Sequence, residues 1–586
     1  MAAAADPVAL LRVVAARAPR RPAIAHLRNA VDTVTTGYSY AEAAEVAARF
    51  AAALTAAGVE AGDTVAIVAP SVPEMLLAIM GAASVAVAFP LNLLLSPEAM
   101  AGQLRLAKCR AIVAFGAHAD LSLDATVAEA IRLAGGVDLV IELDAGGGRS
   151  AALADSAACC VSWSEFISGA DPASAKPVVG DRTAALFHTG GTTGAPKLAE
   201  LSLDGLMASA HASSVGLGWR EDDRVLELFP FFHVGGAITL GLSQFSAGAT
   251  LVNCGLAGAR DPDVIAGLWK IAARLKISVI CVAPPTWSLI AAQPAPQPWP
   301  ELRGVLTGAA TIAPVLARRV AQLAGVPLSQ CLGMTELCGA CANQPLDGAE
   351  RELAVGFPMP LIETRLQPIS PGGPMELHVR GPMMFRGYRS AVGRTGVVGE
   401  GWYATGDLAE ILPDGQLRLV GRAKDVIIRG GHNIDPLSIE EVVCRHPAIV
   451  TAAAVGMPDA FAGEVPVVYA VRKTGDGVCE AVLAAYIAER IEEPPARPKR
   501  ITFVDALPLT AVGKVARYRL RQAAAATRVR ELLSEVAGVG DVRCDDLGAR
   551  RVTIAWLAEP DDAVRGSADA AAAPLGVTLD HVTGQA

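Results

Sequence analysis

Residues 184–197 read AALFHTGGTTGAPK. Ala184 to His188 is an apolar run of strand length, and a glycine–threonine loop comes next, opening on Thr189 and closing on Lys197. Gly190, Gly191 and Gly194 let backbone N–H groups turn toward an anion with no Cβ in the way. Thr189, Thr192 and Thr193 add hydroxyl donors and Lys197 adds a point charge, so the loop reads as a polyphosphate cradle. A Walker A loop would set Gly-Lys directly before Ser or Thr. Here Ala195 and Pro196 separate glycine from lysine, and Leu198 comes after it. Alone, the stretch could equally be a flexible glycine loop, so the rest of the chain has to decide.

Outward from that loop, helical stretches alternate with short apolar runs: DTVAIVAPS (63–71), VAVAFPLN (85–92), CRAIVAFG (109–116) and DLVIELD (138–144). The rhythm returns in RVLELFPFFHV (224–234), ISVICVAPP (277–285) and LRGVLTGAA (302–310). Continuous apolar strands between helices predict parallel sheets covered on both faces. Past residue 371 the pattern becomes antiparallel: ELHVR (376–380) and QLRLV (416–420) alternate, and Asp414-Gly415 is a hairpin turn signal. A further α+β unit opens at KDVIIRGGHNIDP (424–436). Near the end RVTIAWLAEP (551–560) reads as a strand and SADAAAA (567–573) as a mobile low-complexity stretch.

Composition narrows the class. The 586 residues are 52% hydrophobic and 19% charged, which is a globular composition and not a disordered one. Net charge is 50 − 59 = −9 with no basic stripe, so nucleic acid is not an expected partner. Eleven scattered cysteines, an odd number, do not form a disulfide framework and suit a reducing, cytoplasmic setting. The N-terminal residues, interrupted by Arg12, read as an amphipathic helix and not a signal peptide. Residues 75–96 carry no charge over near membrane-span length, but Pro90 and Asn92 break them. They read as a buried helix and then a buried strand, with no transmembrane segment.

Four more motifs come in order: Gly333-Met334-Thr335-Glu336, Tyr403-Ala404-Thr405-Gly406-Asp407, Gly421-Arg422-Ala423-Lys424-Asp425 and Pro508-Leu509-Thr510-Ala511-Val512-Gly513-Lys514. With TGGTTGAPK, these resemble the signature set of the adenylate-forming superfamily, and most closely its bacterial AMP-forming acyl-CoA synthetases. The resemblance spans residues 10–525. It implies an α/β fold. A large N-terminal domain (1–423) of stacked mixed sheets and helices would bind AMP and the acid and carry a β-barrel-like subdomain. A small mobile α+β C-terminal domain (424–525) would come next, then an extension (526–586) of unassigned role. It also implies ATP, Mg²⁺ and CoA as cofactor and substrates, and a homodimer is the oligomeric state it allows.

The same resemblance implies roles residue by residue. The segment from Thr189 to Lys197 would hold the β- and γ-phosphates. Glu336 would bind Mg²⁺, a hard cation that takes oxygen ligands, and Thr335 the α-phosphate. Asp407 would accept from the ribose hydroxyls and Arg422 would also reach the ribose. Lys514 would contact the carboxylate and α-phosphate, where charge develops. Gly308, Ala309 and Ala310 would wall the adenine, with Gly333 and Met334 beside it. Leu332 stands where the family usually stacks an aromatic ring. Lys424 would be the hinge about which the small domain turns, and Gly430 and Gly431 would line a tunnel for the pantetheine arm.

The acyl pocket is expected around residues 229–236 and 282–287, with His233, Val234, Gly235, Pro284, Gly333 and Cys338 on its walls. No Asp, Glu, Lys or Arg occurs between Leu228 and Thr250. A buried ammonium or second carboxylate there would lack a partner, at a cost of several kcal/mol. The acid is therefore expected to be apolar: a medium or long fatty acid, or an aryl or alicyclic one. Cys338-Gly339-Ala340-Cys341 has no companion His or second pair and reads as pocket wall or core, not as a zinc site. The reading is an acyl-CoA synthetase. Its alternatives are an acyl-AMP ligase that loads a carrier protein and a non-catalytic sensor.

Overall fold

The first half of the chain forms the parallel strands its apolar runs predict. In the computed structural model Ala66 of strand Thr64–Val68 lies opposite Phe89 of Val87–Pro90 and Ile112 of Cys109–Phe115, all in parallel register. The strand Thr183–Thr189 joins this nine-stranded sheet beside Val87–Pro90, then returns antiparallel as Lys197–Ser202. The structure describes residues 4–583 except 31–35, 158, 179, 190–196, 295–298, 311, 313, 347–353, 370–373, 391–392, 396–400, 431, 474, 511–513, 535, 537, 547–550 and 576.

The uncharged stretch forms helix Pro73–Val85 and then strand Val87–Pro90, which ends at its proline. Gly81 lets this helix approach its neighbour closely: a Cβ there would come within 2.8 Å of the Ala47 carbonyl. Among the described residues no helix is long and apolar enough to cross a membrane.

A second sheet of thirteen strands sets Arg224–Glu227, Val279–Cys281, Gly304–Gly308 and Leu328–Met334 side by side in parallel. Successive side chains of a strand point to opposite faces. Val225, Cys281 and Leu306 therefore enter the central apolar cluster with Ile67, Val87 and Phe187 of the first sheet. Leu226, Ile280 and Val305 face outward against Trp269 and Trp287. The antiparallel strands Met375–Arg380, Tyr403–Ile411 and Leu417–Arg422 run on from this sheet through Ala354–Pro358, so the region expected as barrel-like is continuous with it. The Asp414-Gly415 signal is a true turn, with Gly415 at φ +87° and the Leu412 N–H donating to the Gln416 carbonyl at 2.8 Å.

After Arg422 the apolar clusters are separate. Ile427, Ile434, Ile439, Ala454, Val468 and Ile501 form one, and Val455, Val467, Leu507 and Leu520 another. The long helix Arg517–Leu532 belongs to two bodies. Leu520 and Ala524 pack on the preceding sheet, whereas Ala525, Ala526 and Val529 pack on the C-terminal extension. A boundary at 526 thus falls inside a helix.

The extension corrects one expectation. Residues 567–573 are not a mobile low-complexity stretch but the second half of helix Asp562–Ala572 and the turn after it. Asp561 caps this helix by accepting from the Val564 N–H at 2.8 Å. Ala568 and Ala572 are fully buried against Val552, Ile554 and Trp556 of a three-stranded sheet. Alanine loses no side-chain entropy in a helix, and its small size lets the helix lie close on the strands. A run of alanines that looks simple in sequence is here a packing face.

Candidate active site

The two ends of the phosphate loop are fixed by the strands that bear them, with Thr189 opposite Lys197 in antiparallel register. Gly190, Gly191, Thr192, Thr193 and Gly194 lie outside the described residues. Lys197 Nζ sits 5.6 Å from the centroid of the Tyr388 ring. The Tyr388 hydroxyl donates to Glu336 Oε1 and lies 3.4 Å from the Tyr403 hydroxyl. Burial, and then the Glu336 carboxylate, push the Tyr388 pKa up, so it stays a neutral donor.

Glu336 reaches this point because strand Leu328–Met334 ends in a tight 3₁₀ turn, Thr335–Leu337. A bulge between Leu332 and Gly333 re-aims the strand end. A Cβ on Gly333 would come 2.8 Å from the Gly339 carbonyl, so only glycine fits. Beside it, Ala309 holds φ +69°, and a Cβ on Gly308 would come 3.1 Å from the Cys331 carbonyl. Ala309, Ala310, Leu332, Gly333, Met334, Thr335 and Glu336 share one wall of the cleft.

The opposite wall is charged. Arg422 Nε donates to Asp407 Oδ1 at 2.6 Å, while Asp407 Oδ2 is buried with no protein partner among the described residues. Burial works against the Arg422 charge, but Asp407, Asp425 and Glu336 outweigh it and raise its pKa. Lys424 comes two residues later, its pKa lowered by burial and then by Arg422.

Lys514 arrives from the far end of the sequence on a small turn, where Thr510 Oγ1 accepts from the Lys514 N–H at 3.1 Å and the Lys514 carbonyl accepts from the Thr510 N–H at 2.7 Å. Burial and the neighbouring Arg422 lower the Lys514 pKa to about 8, although Asp407 and Glu336 oppose the shift. Lys514 shares the cleft with His233: burial first, and then the charge of this lysine, push the imidazole down to about 3. His233 Nδ1 accepts from the Gly235 N–H at 3.1 Å, so a neutral ring carries its proton on Nε2.

Thr189, Lys197, His233, Pro284, Thr335, Glu336, Asp407, Arg422, Lys424 and Lys514, separated by up to 325 positions (514 − 189), are thus brought to one cleft. Its volume of about 2820 Å³ exceeds the roughly 300–1000 Å³ of an ordinary single-ligand pocket. Other expected residues do not line it. Val234 and Cys338 are buried in the central cluster, and Gly308 and Gly235 stand behind the wall. Gly430 sits at the tip of the hairpin Ile427–Arg429/His432–Ile434, φ +57°, with nothing within 4 Å of where its Cβ would be. Gly431 lies outside the described residues. None of the eleven cysteines forms a disulfide. Tyr388 is the residue that sequence reasoning missed, although a tyrosine after Arg386-Gly387 in a polar strand could have been found by its position before the Asp407 motif.

Two family models match the chain. One, described as AMP-binding enzyme, covers residues 11–389; the other, AMP-binding enzyme C-terminal domain, covers 438–514. This chain belongs to the AMP-binding enzyme family. Among family members, an indoleacetate–CoA ligase of Aromatoleum aromaticum is 32% identical, covering 83% of this chain and 92% of the relative. A marinolic acid–CoA ligase of a Pseudoalteromonas species is 29% identical over 89% of this chain and 82% of the relative. The fold is that of an anthranilate CoA ligase crystallised with anthranoyl-AMP, with a TM-score of 0.77 and 21% identity over 90% of this chain and 99% of the other.

Proposed function

We propose that this AMP-binding enzyme joins an apolar carboxylic acid to CoA in two half-reactions, using ATP. The single observation that carries this is Lys514, half-buried in the same cleft as Asp407, Arg422, Glu336 and His233, with its charge acting on the His233 imidazole and theirs on its own ammonium. A lysine held at the junction of a nucleotide wall and an apolar wall suits a reaction between a nucleotide phosphate and an acid, and a plain binder has no need of it.

The residues present fit a nucleotide. Asp407 Oδ2 is a buried acceptor, and a ribose hydroxyl supplies the donor that would satisfy it. Ala309, Ala310 and Leu332 line the cleft and offer an apolar face on which a base would rest. Lys197 and Thr189 stand at the phosphate end. One carboxylate, Glu336, together with phosphate oxygens is an ordinary donor set for Mg²⁺, which when bound offsets phosphate charge.

In the first half-reaction a carboxylate oxygen attacks the α-phosphorus and the bond to the bridging β-phosphate oxygen breaks, releasing pyrophosphate. Lys514 offsets negative charge at that phosphorus, Thr335 donates to the α-phosphate and Asp407 with Arg422 fixes the ribose. In the second, a thiol sulfur attacks the acyl carbonyl, a thioester forms, the thiol loses its proton and AMP leaves. We assign the turn between the halves to a hinge at Lys424. It stands between the core that ends near Arg422 and the separate clusters beyond, so that residues 1–423 and 424–525 move as two bodies. Gly430 and Gly431 would then come to the cleft in place of Lys514. Eleven free cysteines suit a cytoplasmic location.

The test is mass spectrometry of one reaction containing protein, ATP, Mg²⁺, CoA and a panel of fatty, aryl and alicyclic acids. An acyl-CoA product supports the reading and names the acid. Acyl-AMP without thioester points to a carrier-protein acceptor, and no product from any acid counts against ligation.

A further inference from the structure

Strand Leu417–Arg422 closes the large body, and helix Pro436–Cys444 belongs to the small one. The two meet across the segment that holds Lys424. Gly421 stands at φ +136°, and a Cβ there would come 2.7 Å from Asp435 Oδ1. The Asp435 carboxyl is thus laid on bare backbone of the other body, where any side chain at 421 would displace it. Asp435 also caps its own helix, with Oδ1 accepting from the Leu437 N–H at 3.0 Å. Capping needs an oxygen and no charge, since Asn and Ser cap about as well as Asp. The cap alone therefore gives no reason to place a carboxylate between the bodies.

The charges around Asp435 are engaged elsewhere. On the strand, Arg422 is turned to Asp407. On the long helix, Arg517 Nη2 donates to Glu440 Oε2 at 2.9 Å and its Nε lies 3.7 Å from Asp425 Oδ2. On the hairpin before it, Arg429 bonds the Pro495 carbonyl and His432 pairs with Glu493. Lys424 is acted on by Arg422 and Asp425. Burial, with Glu440 on the same helix adding to it, raises the Asp435 pKa to about 6. The Leu437 N–H and the Arg517 charge work the other way without offsetting that rise. A helix N-terminus ordinarily favours an anion, so the contact with Gly421 reverses the usual balance.

We propose that Asp435 is a positioning residue for the turn between the half-reactions: its charge, pressed against Gly421, keeps the small body from locking onto the large one while Lys514 is in the cleft. This rests on the hinge reading above. The sign follows from two ionisations. Docked, the carboxyl titrates near 6; undocked, it meets water and titrates near its ordinary 3.8. Above pH 6 it is charged in both orientations, and the docked one alone bears a charge pressed out of water. As pH falls from about 6 toward about 4 the docked form takes up a proton first, the penalty fades and docking tightens. An amide at 435 would carry no such penalty at any pH.

The experiment is single-molecule energy transfer on the full-length protein, which needs no substrate. The dyes sit on non-natural residues replacing Leu289 and Phe461, both exposed and one in each body. In the wild type the ratio of docked to undocked molecules should rise about tenfold from pH 7.5 to pH 5. In Asp435→Asn that ratio should not depend on pH and should exceed the wild-type ratio at pH 7.5 by about a hundredfold, the separation of the two ionisations. Asp435→Ser also caps without charge and should behave as Asn does. In both variants at pH 7.5, thioester release from supplied 3-phenylpropanoyl-AMP and CoA should slow by about tenfold or more, as undocking becomes rare. A wild-type ratio that ignores pH, or one that moves equally in the variants, would overturn the role of Asp435. A lower docked fraction in both variants would make it a plain structural cap. A single distance at every pH in all three proteins, with thioester still formed, would overturn the hinge reading itself. No thioester from the wild type would count against ligation, and the docked fractions would still decide on Asp435.

Discussion

The two walls of the cleft differ in kind. The nucleotide wall is built from charges close enough to set one another: Asp407 bonds Arg422 at 2.6 Å, and both act on Lys514, as Glu336 does. The wall proposed for the acid is built from apolar residues such as Phe232 and Pro284, whose positions are set by how two sheets pack. A charge in a cleft must have its partner at one place, so the first wall tolerates little change. Apolar side chains exchange volume with their neighbours, so the second can be repacked without losing the fold.

The hardest blow to that contrast is Lys514→Ala. It removes the cation shared by both walls, and acyl-AMP formation should fall about a thousandfold, the scale of losing one group aimed at developing charge. Thioester formation from supplied acyl-AMP should change by no more than a few-fold, since the residue is expected to leave the cleft in that step. Equal loss in both half-reactions, measured by pyrophosphate exchange and by thioester release, would break the two-body picture. Asp407→Asn comes next. It strips the charge from the Arg422 pair and weakens the ribose contact, so KM for ATP should rise about ten- to hundredfold, while KM for the acid stays put. A matching rise for the acid would mean the walls are not independent.

How far each wall could be read from sequence obeys the same division. Lys197, Glu336, Asp407, Arg422 and Lys514 stand in short motif strings, as the proposed roles would require, each presenting one group at one distance from a phosphate or ribose. The parallel strands were legible for a related reason, since a sheet covered on both faces leaves continuous apolar runs such as AIVAF at residues 111–115 and LVIEL at 139–143. The apolar wall was legible only in part: His233 and Pro284 reach the cleft as expected, whereas other residues expected beside them do not. Cys338 and Val234 looked like pocket residues by sequence position, yet packing turns them into the core. The alanine-rich tail misled because its burial depends on a sheet formed by residues on either side of it.

The pH profile sharpens the contrast at a smaller scale. In the proposed adenylation step Lys514 acts as a cation, and its pKa is lowered to about 8 by burial and then by Arg422. The lysine is charged below pH 8 and loses its proton above it. Exchange should therefore hold steady from about pH 6 to about 7.5 and fall up to about tenfold per unit above about pH 8. His233, held near 3, stays neutral across that range and adds no limb around its ordinary value. Lys514→Arg should be slower throughout, but its alkaline limb should vanish, because a guanidinium keeps its charge. An alkaline limb that survives in Lys514→Arg would assign the titration to another group.

Tyr388→Phe should have the smallest effect, and it divides the nucleotide wall within itself. The hydroxyl donates to Glu336 and not to the Asp407–Arg422 pair proposed to hold the ribose. Its pKa is raised by burial and by Glu336, so at working pH it is always a donor, and its loss removes one hydrogen bond and no charge. A bond of that kind is worth about 1 kcal/mol, or about fivefold in an equilibrium constant. The loss should appear as about a fivefold rise in the Mg²⁺ needed for half-maximal exchange, with KM for ATP at saturating Mg²⁺ little changed. The ring still packs edge-on against Phe385 at 4.9 Å between centroids, so the fold is kept. If Mg²⁺ dependence does not move while KM for ATP rises, Tyr388 serves the phosphates through Lys197 and not through Glu336.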